Sequence, residues 1–160
     1  MEEHMKNEFL FNIAEDFIKK NNIGHRKWNF MTFWYGDYIP DSHLDSARKW
    51  FAGYQLEIEK PLILVSDNCF GAITEGFLVT NIKVYYRLKK SFIKPTEKGF
   101  IWLEDINSID IDSKYIGAWL MINGKKEALL SSFSKKIENE VKPIREILQI
   151  FIKEIQLRKE

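Results

Sequence analysis

After Pro61 the hydrophobic period changes from helical to extended, and short apolar runs follow one another with few residues between them. Leu62 to Ser66 ends at the turn signal Asp67-Asn68. Glu75 to Thr80 is the next run. Lys83 to Leu88 follows after only Asn81-Ile82, which predicts a tight hairpin. Lys89 to Lys98 reads as a loop holding Pro95 and four lysines. Phe100 to Leu103 is a strand, and Ile106, Ile109 and Ile111 continue extended after a bend at Glu104-Asp105. Tyr115 to Ile122 is the longest run. Asn123-Gly124 is the strongest hairpin signal in the chain, with Lys126 to Ser131 as its return strand. The count is about seven short strands.

An open sheet of this kind exposes an apolar face and two edges. Bending it into a partly closed barrel hides the face but leaves one end open. The last segment can stopper that end. Ile137, Val141, Ile144, Leu148, Phe151 and Ile155 repeat at three- and four-residue spacing, the mark of one apolar helix face. Ser134 is a candidate cap. Inside a helix, Pro143 costs about 3 kcal/mol. The helix therefore either kinks at Pro143 or begins there, with Pro143 in its first turn after a looser turn, and the second is expected.

The first 57 residues read differently, as a helical and aromatic extension packed on a domain spanning residues 58–160. Residues 6–20 form an amphipathic helix with Phe9, Ile13 and Phe17 on its stripe and Leu10 and Ala14 beside it. Asn21, Asn22 and Gly24 end it. Such a stripe packs on the domain or receives a partner. Pro40-Asp41-Ser42 opens a second helix, with Ser42 as expected N-cap and Leu44, Ala47 and Phe51 as its buried stripe. Between the helices, Trp28, Phe30, Phe33, Trp34, Tyr35 and Tyr38 crowd a segment with few charges. Its pattern fits neither helix nor strand. Such density is a core plug or an exposed docking surface. Exposing that much apolar area invites aggregation, which favours the plug. As a docking surface, the same six residues are the candidate partner-binding set.

The runs Gly76-Phe77-Leu78-Val79-Thr80-Asn81, Lys83-Val84-Tyr85-Tyr86-Arg87 and Ile101 to Ile109 together resemble bacterial pleckstrin-homology-like and GRAM-like domains. The shared features are a glycine, apolar, threonine, turn and aromatic-pair hairpin, an apolar strand stepping through aspartate and isoleucine, and a final helix. Leu64 to Asn68 and Phe70-Gly71 look like the first strand and loop of such domains. The resemblance covers roughly residues 58–157. It implies an α+β fold in which a bent antiparallel sheet is capped by a C-terminal helix. The residues themselves suggest structural roles. Gly76 and Asn81 suit unusual backbone angles or tight turns. Thr80 can bond the turn backbone, and Asp105 is placed to accept N–H groups at the bend.

Chemistry is sparse. His4, His25 and His43 lie far apart, and none has a partner at metal-ligand spacing, so no metal is expected. Cys69, the single cysteine, has acidic rather than basic neighbours, which disfavours a thiolate. Asp67, Glu75, Glu104 and Asp105 have no spacing that fixes a catalytic distance. Phosphate-loop, dinucleotide and nucleophile-elbow patterns are absent from the sequence, and no cofactor is expected. The net charge of +1 provides no general field for nucleic acid. A single cysteine, an acidic N-terminal stretch unlike a secretory signal, and no long apolar run point to a cytoplasmic protein.

These features predict a non-catalytic binding module that holds an unknown protein or a second copy of itself. One alternative is an anionic membrane surface, met by Arg87, Lys89, Lys90, Phe92, Lys94 and Lys98. Basic residues around an apolar tip contribute about 1 kcal/mol each near such a surface. The loop after the first strand, Asn68 to Glu75, where the related domains often carry phosphoinositide-binding basic residues, has neither lysine nor arginine. The other alternative is an enzyme with a site at the seam between the N-terminal helices and the sheet.

Overall fold

The computed structural model describes residues 7–22, 25–28, 31–53, 58–66, 75–89, 96–112, 119–129 and 138–159. The chain is α+β, an antiparallel sheet with a C-terminal helix. The elements in order are α1 (Phe9–Asn21), β1 (His25–Trp28), β2 (Met31–Tyr35), α2 (Asp41–Trp50), β3 (Pro61–Ser66), β4 (Gly76–Thr80), β5 (Lys83–Lys89), β6 (Thr96–Trp102), β7 (Ile109–Asp112), β8 (Trp119–Ile122), β9 (Lys125–Leu129) and α3 (Glu138–Lys159). Seven of the nine strands follow residue 60. Pairing runs β1-β2-β3-β4-β5-β9-β8-β7, with β6 on β5. Among the described residues, no pairing joins β1 to β7.

The aromatic segment from Trp28 to Tyr38, whose pattern fits neither a clean helix nor a clean strand, holds the end of β1 and all of β2. β2 pairs with β3 from Thr32↔Ser66 to Tyr35↔Ile63, so the sheet crosses the expected boundary at residue 57. The aromatic crowding obscured the period-two pattern because residues on both sides of β2 are large. Trp34 and Tyr35 are adjacent, point to opposite faces, and are both buried.

The two faces can be followed through the register. One ladder runs Trp34↔Leu64↔Leu78↔Tyr85↔Phe100 from β2 to β6. The neighbouring ladder, Tyr35↔Ile63↔Val79↔Val84↔Ile101, faces the other way. The second ladder belongs to the main core, which α1 covers with Leu10, Ala14 and Ile18 and α3 with Ile144, Ile147, Leu148, Phe151, Ile152 and Ile155. The first belongs to a smaller core that α2 covers with Ala47 and Phe51, helped by Ile39 and Ala52. β3 and β4 are thus buried on both faces, which explains their unbroken apolar runs.

The helices depart from expectation in detail. The buried line of α1 is Leu10, Ala14 and Ile18, one residue over from Phe9, Ile13 and Phe17, which pack at its flanks. Asn22 ends α1 in the left-handed conformation at φ 52°, and its N–H reaches back to the last turn. Pro40, not Ser42, is the N-cap of α2. Its extended backbone breaks the entering chain, and its carbonyl accepts from His43 and Leu44 at 3.0 and 3.1 Å. α3 starts at Glu138, so Pro143 lies inside the helix rather than opening it. The proline forgoes one backbone bond there. Burial of the stripe from Ile144 onward outweighs that loss, at about 1.5–3 kcal/mol for each large side chain.

Polar contacts fix α3 on the sheet. Arg145 forms an ion pair with Asp110, Nε to Oδ1 at 2.8 Å, and its Nη2 donates to the Ile111 carbonyl at 2.9 Å. Gln156 donates to the Ile106 carbonyl at 2.9 Å. At the bend, Asn123 does what was expected of Asp105. Its Oδ1 accepts from the Asn107 and Ser108 amides at 2.7 and 3.1 Å, while its Nδ2 donates to the Asp105 carbonyl. Asn123 and Gly124 have φ of 53° and 79°, which closes the predicted β8–β9 hairpin. Gly76 has φ 145°, and a Cβ there would lie 1.9 Å from the Val65 carbonyl oxygen.

Two substitutions check this packing. Phe151→Ala removes a fully buried ring and is expected to cost about 3–5 kcal/mol in urea unfolding, whereas Leu157→Ala on the exposed side of α3 stays within about 0.5 kcal/mol. Equal effects would contradict the assigned helix face. Gly76→Ala is expected to lower stability by at least about 2 kcal/mol, through backbone strain and the close approach to Val65. An unchanged unfolding midpoint would remove that reading.

Candidate binding face

The sequence-predicted residues separate by burial. Trp34 and Tyr35 are in the two cores, so they act as plugs and not as docking surface. The reason is their place on β2, where each face already meets a covering helix. Tyr38 is exposed, in a 3₁₀ turn spanning Gly36–Tyr38. Trp28 and Phe33 are strand residues whose side chains lie outside the described ones, and Phe30 lies outside the described residues altogether.

The lysine-rich segment is also reassigned in part. β6 begins at Thr96, so residues 96–98 are strand rather than loop. Arg87 and Lys98 are directly opposed across β5 and β6. Lys89 closes β5, with its side chain outside the described ones. Lys90, Phe92 and Lys94 lie outside the described residues, as do Cys69 and Asp67.

The structure assembles a face that sequence reasoning missed. α2 covers the Trp34-to-Phe100 ladder as far as Tyr85 and then ends. β6 is left open, so Phe100 is 51% exposed and Trp102 40%. Trp50, at the end of α2, is 38% exposed and lies against Arg87 of β5. Strand alternation brings Lys83, Tyr85 and Arg87 of β5 to this side, with Thr96, Lys98, Phe100 and Trp102 of β6. None of these positions is acidic.

Cations and rings interleave there. Lys83 Nζ lies 5.6, 4.8 and 4.4 Å from the ring centres of Tyr85, Phe100 and Trp102. The Arg87 guanidinium is 5.0 Å from the Trp50 ring, and Lys49 Nζ is 5.8 Å from it. Phe100 and Trp102 meet edge to face, at 5.9 Å and 84°. A cation over an aromatic face gains about 0.5–1 kcal/mol at an exposed site. The available signal was the odd-even pattern Lys83, Tyr85, Arg87, hidden because the interval 89–98 reads as one loop and conceals the β5–β6 register.

Beneath the face lies a polar anchor. Glu59 is 3% exposed. Tyr85 Oη donates to Glu59 Oε2 at 2.6 Å, and Thr80 Oγ1 lies 3.3 Å from Oε1. Thr80 Oγ1 also accepts from the Ile82 and Lys83 amides at 3.1 and 3.0 Å, the turn-bonding role expected of it. Asn81 ties the same turn to residue 60: its Oδ1 accepts from the Lys60 amide at 2.6 Å. The Tyr85 ring is therefore held by its hydroxyl, while its centre lies 6.0 Å from that of Phe100.

At the seam of α1 and the 3₁₀ turn there is a cavity of about 170 Å³, lined by residues including Phe11, Glu15, Lys19, Asp37 and Tyr38. It is smaller than the roughly 300–1,000 Å³ of most small-molecule sites. Glu15, Lys19, Asp37 and Tyr38 are exposed at its rim and do not converge on a buried point. Among the described residues, no group of three His, Cys, Asp or Glu side chains could hold a metal ion. His43 is used in packing, with its ring 4.6 Å from that of Trp34. Among the described residues, no helix is long and apolar enough to cross a membrane.

Tyr85→Phe is expected to cost about 1–3 kcal/mol, because the buried Glu59 carboxylate loses its shortest donor. Urea denaturation at constant m-value measures this. An unchanged midpoint would show that the contact carries no stability.

No family model, no curated protein and no solved structure matches this chain.

Proposed function

We propose that the chain is a non-catalytic binding module that holds a protein partner on the open margin of its sheet. One observation carries this reading: α2 covers the Trp34-to-Tyr85 ladder, yet Phe100, Trp102 and Trp50 remain exposed among Lys83, Arg87 and Lys98. Exposed aromatics clustered beside cations are what an interface centre needs. The reading differs from the sequence-based one in location. It moves the docking surface from Trp28–Tyr38 to β5 and β6.

The pleckstrin-homology-like architecture accompanies this proposal. Supporting it are seven antiparallel strands after residue 60 and a final helix with its apolar stripe on the sheet. In the finer form, the sheet bends toward a partly closed barrel that α3 stoppers. A cytoplasmic location goes with the same reading.

A second reading is attachment to an anionic membrane surface. The direct opposition of Arg87 and Lys98 favours it, since both basic groups rise from one side of the hairpin. The two readings predict different losses. For the protein-binding reading, Phe100→Ser with Trp102→Ser is expected to abolish capture of proteins that the native chain retains on a column. An identical set of retained proteins would sink it. For the membrane reading, sedimentation with phosphatidylserine vesicles is the measurement, and absence of binding at low salt removes it.

A further inference from the structure

Resting on the binding-module reading, we propose that β6 accepts an extended, carboxylate-bearing segment of a partner protein as an added antiparallel strand. The argument begins with hydrogen-bond phase. β5 and β6 pair over seven positions, from Lys83↔Trp102 to Lys89↔Thr96. The Leu103 amide donates to the Ile82 carbonyl at 2.8 Å, so residue 103 bonds inward toward β5. In an antiparallel ladder inward and outward residues alternate. Ile101, Gly99 and Glu97 therefore also bond inward. Thr96, Lys98, Phe100 and Trp102 direct their N–H and C=O groups away from the sheet.

Among the described residues, β6 has β5 as its only strand partner. Exposure along β6 shows that this margin is open: Glu97, Lys98, Phe100 and Trp102 all face solvent. A seven-residue open edge with two exposed aromatics is a template for another strand.

The chemistry of the incoming segment follows from the side chains that share the face. Its neighbours would be Lys98, Phe100 and Trp102, with Lys83 and Arg87 one strand further in. The positive charge of these positions, with no acid among them, selects a carboxylate opposite Lys98, and the rings select apolar residues on the same side of the incoming strand, two and four positions along. A nucleic acid fits less well. Successive bases stack on rings lying flat, but Phe100 and Trp102 stand at 84° to each other. A lipid headgroup has no backbone with which to meet four outward residues in register.

The test is fluorescence anisotropy of the whole chain with a labelled nonapeptide Thr-Glu-Thr-Val-Thr-Val-Thr-Glu-Thr, the Glu–Val peptide, which presents Glu and Val on one side of a strand and Thr on the other. Three comparison probes are the same peptide with Lys for Glu, the same peptide N-methylated at its Glu and Val residues, and labelled oligothymidine. The Glu–Val peptide is expected to bind, with the other probes at least about tenfold weaker. In ¹⁵N spectra, the amides of residues 96–102 are expected to shift and to gain exchange protection. Lys98→Glu is expected to weaken binding at least about tenfold while leaving the unfolding midpoint in place.

Equal binding of the N-methylated peptide would overturn strand addition, because that peptide lacks the N–H groups that face β6. Preference for oligothymidine, or phosphatidylserine-vesicle binding without peptide binding, would assign the face to another ligand and overturn it. A dimer that Lys98→Glu dissociates, seen in sedimentation velocity, would make a second copy the occupant instead. Proteins retained through Phe100 and Trp102 without any peptide binding would leave the binding module standing and remove the added strand.

Discussion

A sheet whose middle strands are apolar on both sides must be covered twice, and the arrangement of this chain follows from that requirement. Leu62, Ile63, Leu64 and Val65 are all fully buried in β3, and Phe77, Leu78 and Val79 likewise in β4. Neither face can be left to water. At about 25 cal/mol per Å² of apolar surface, exposing one face would outweigh the net stability of a domain this size. α1 and α3 share one side, and α2 takes the other. α2 is only ten residues long, so its cover ends near Tyr85. The open margin at β6 follows from how little helix that side receives.

Much of the fold was legible because local patterns there agree with the tertiary result. The Asn81-Ile82 and Asn123-Gly124 turns sit where hairpins close. The α3 stripe has the spacing of a one-faced helix and is buried on that face. β2 was not legible for the opposite reason. A strand covered on both sides loses its alternation, and Trp34-Tyr35 looks the same as a surface aromatic cluster. Pro143 misled because the cost of a proline is local, whereas the burial that offsets it comes from side chains several turns away.

The candidate face was less legible than the fold. Its residues are drawn from α2, β5 and β6, and they meet only through the β5–β6 register and the end of α2. Lys83 and Trp102 are far apart in sequence but directly opposed in the sheet. Glu59, which steadies Tyr85 from below, lies before β3 and carries no signal of its role. The sequence groups Arg87, at the end of a strand, with Lys98 of the following loop, whereas the register makes them a cross-strand pair.

The contact between the first and last helices has a bearing on how the chain is made. Most strand pairs here are sequence neighbours and can form early, as soon as each hairpin emerges. The main core closes only when Phe9 meets Arg158, at 3.8 Å from ring centre to guanidinium, and when Phe151 reaches the sheet. During synthesis at about 5–20 residues per second, the large apolar side of the meander therefore waits for the final turns to clear the ribosome. Until then the apolar face that α3 covers stays open to water.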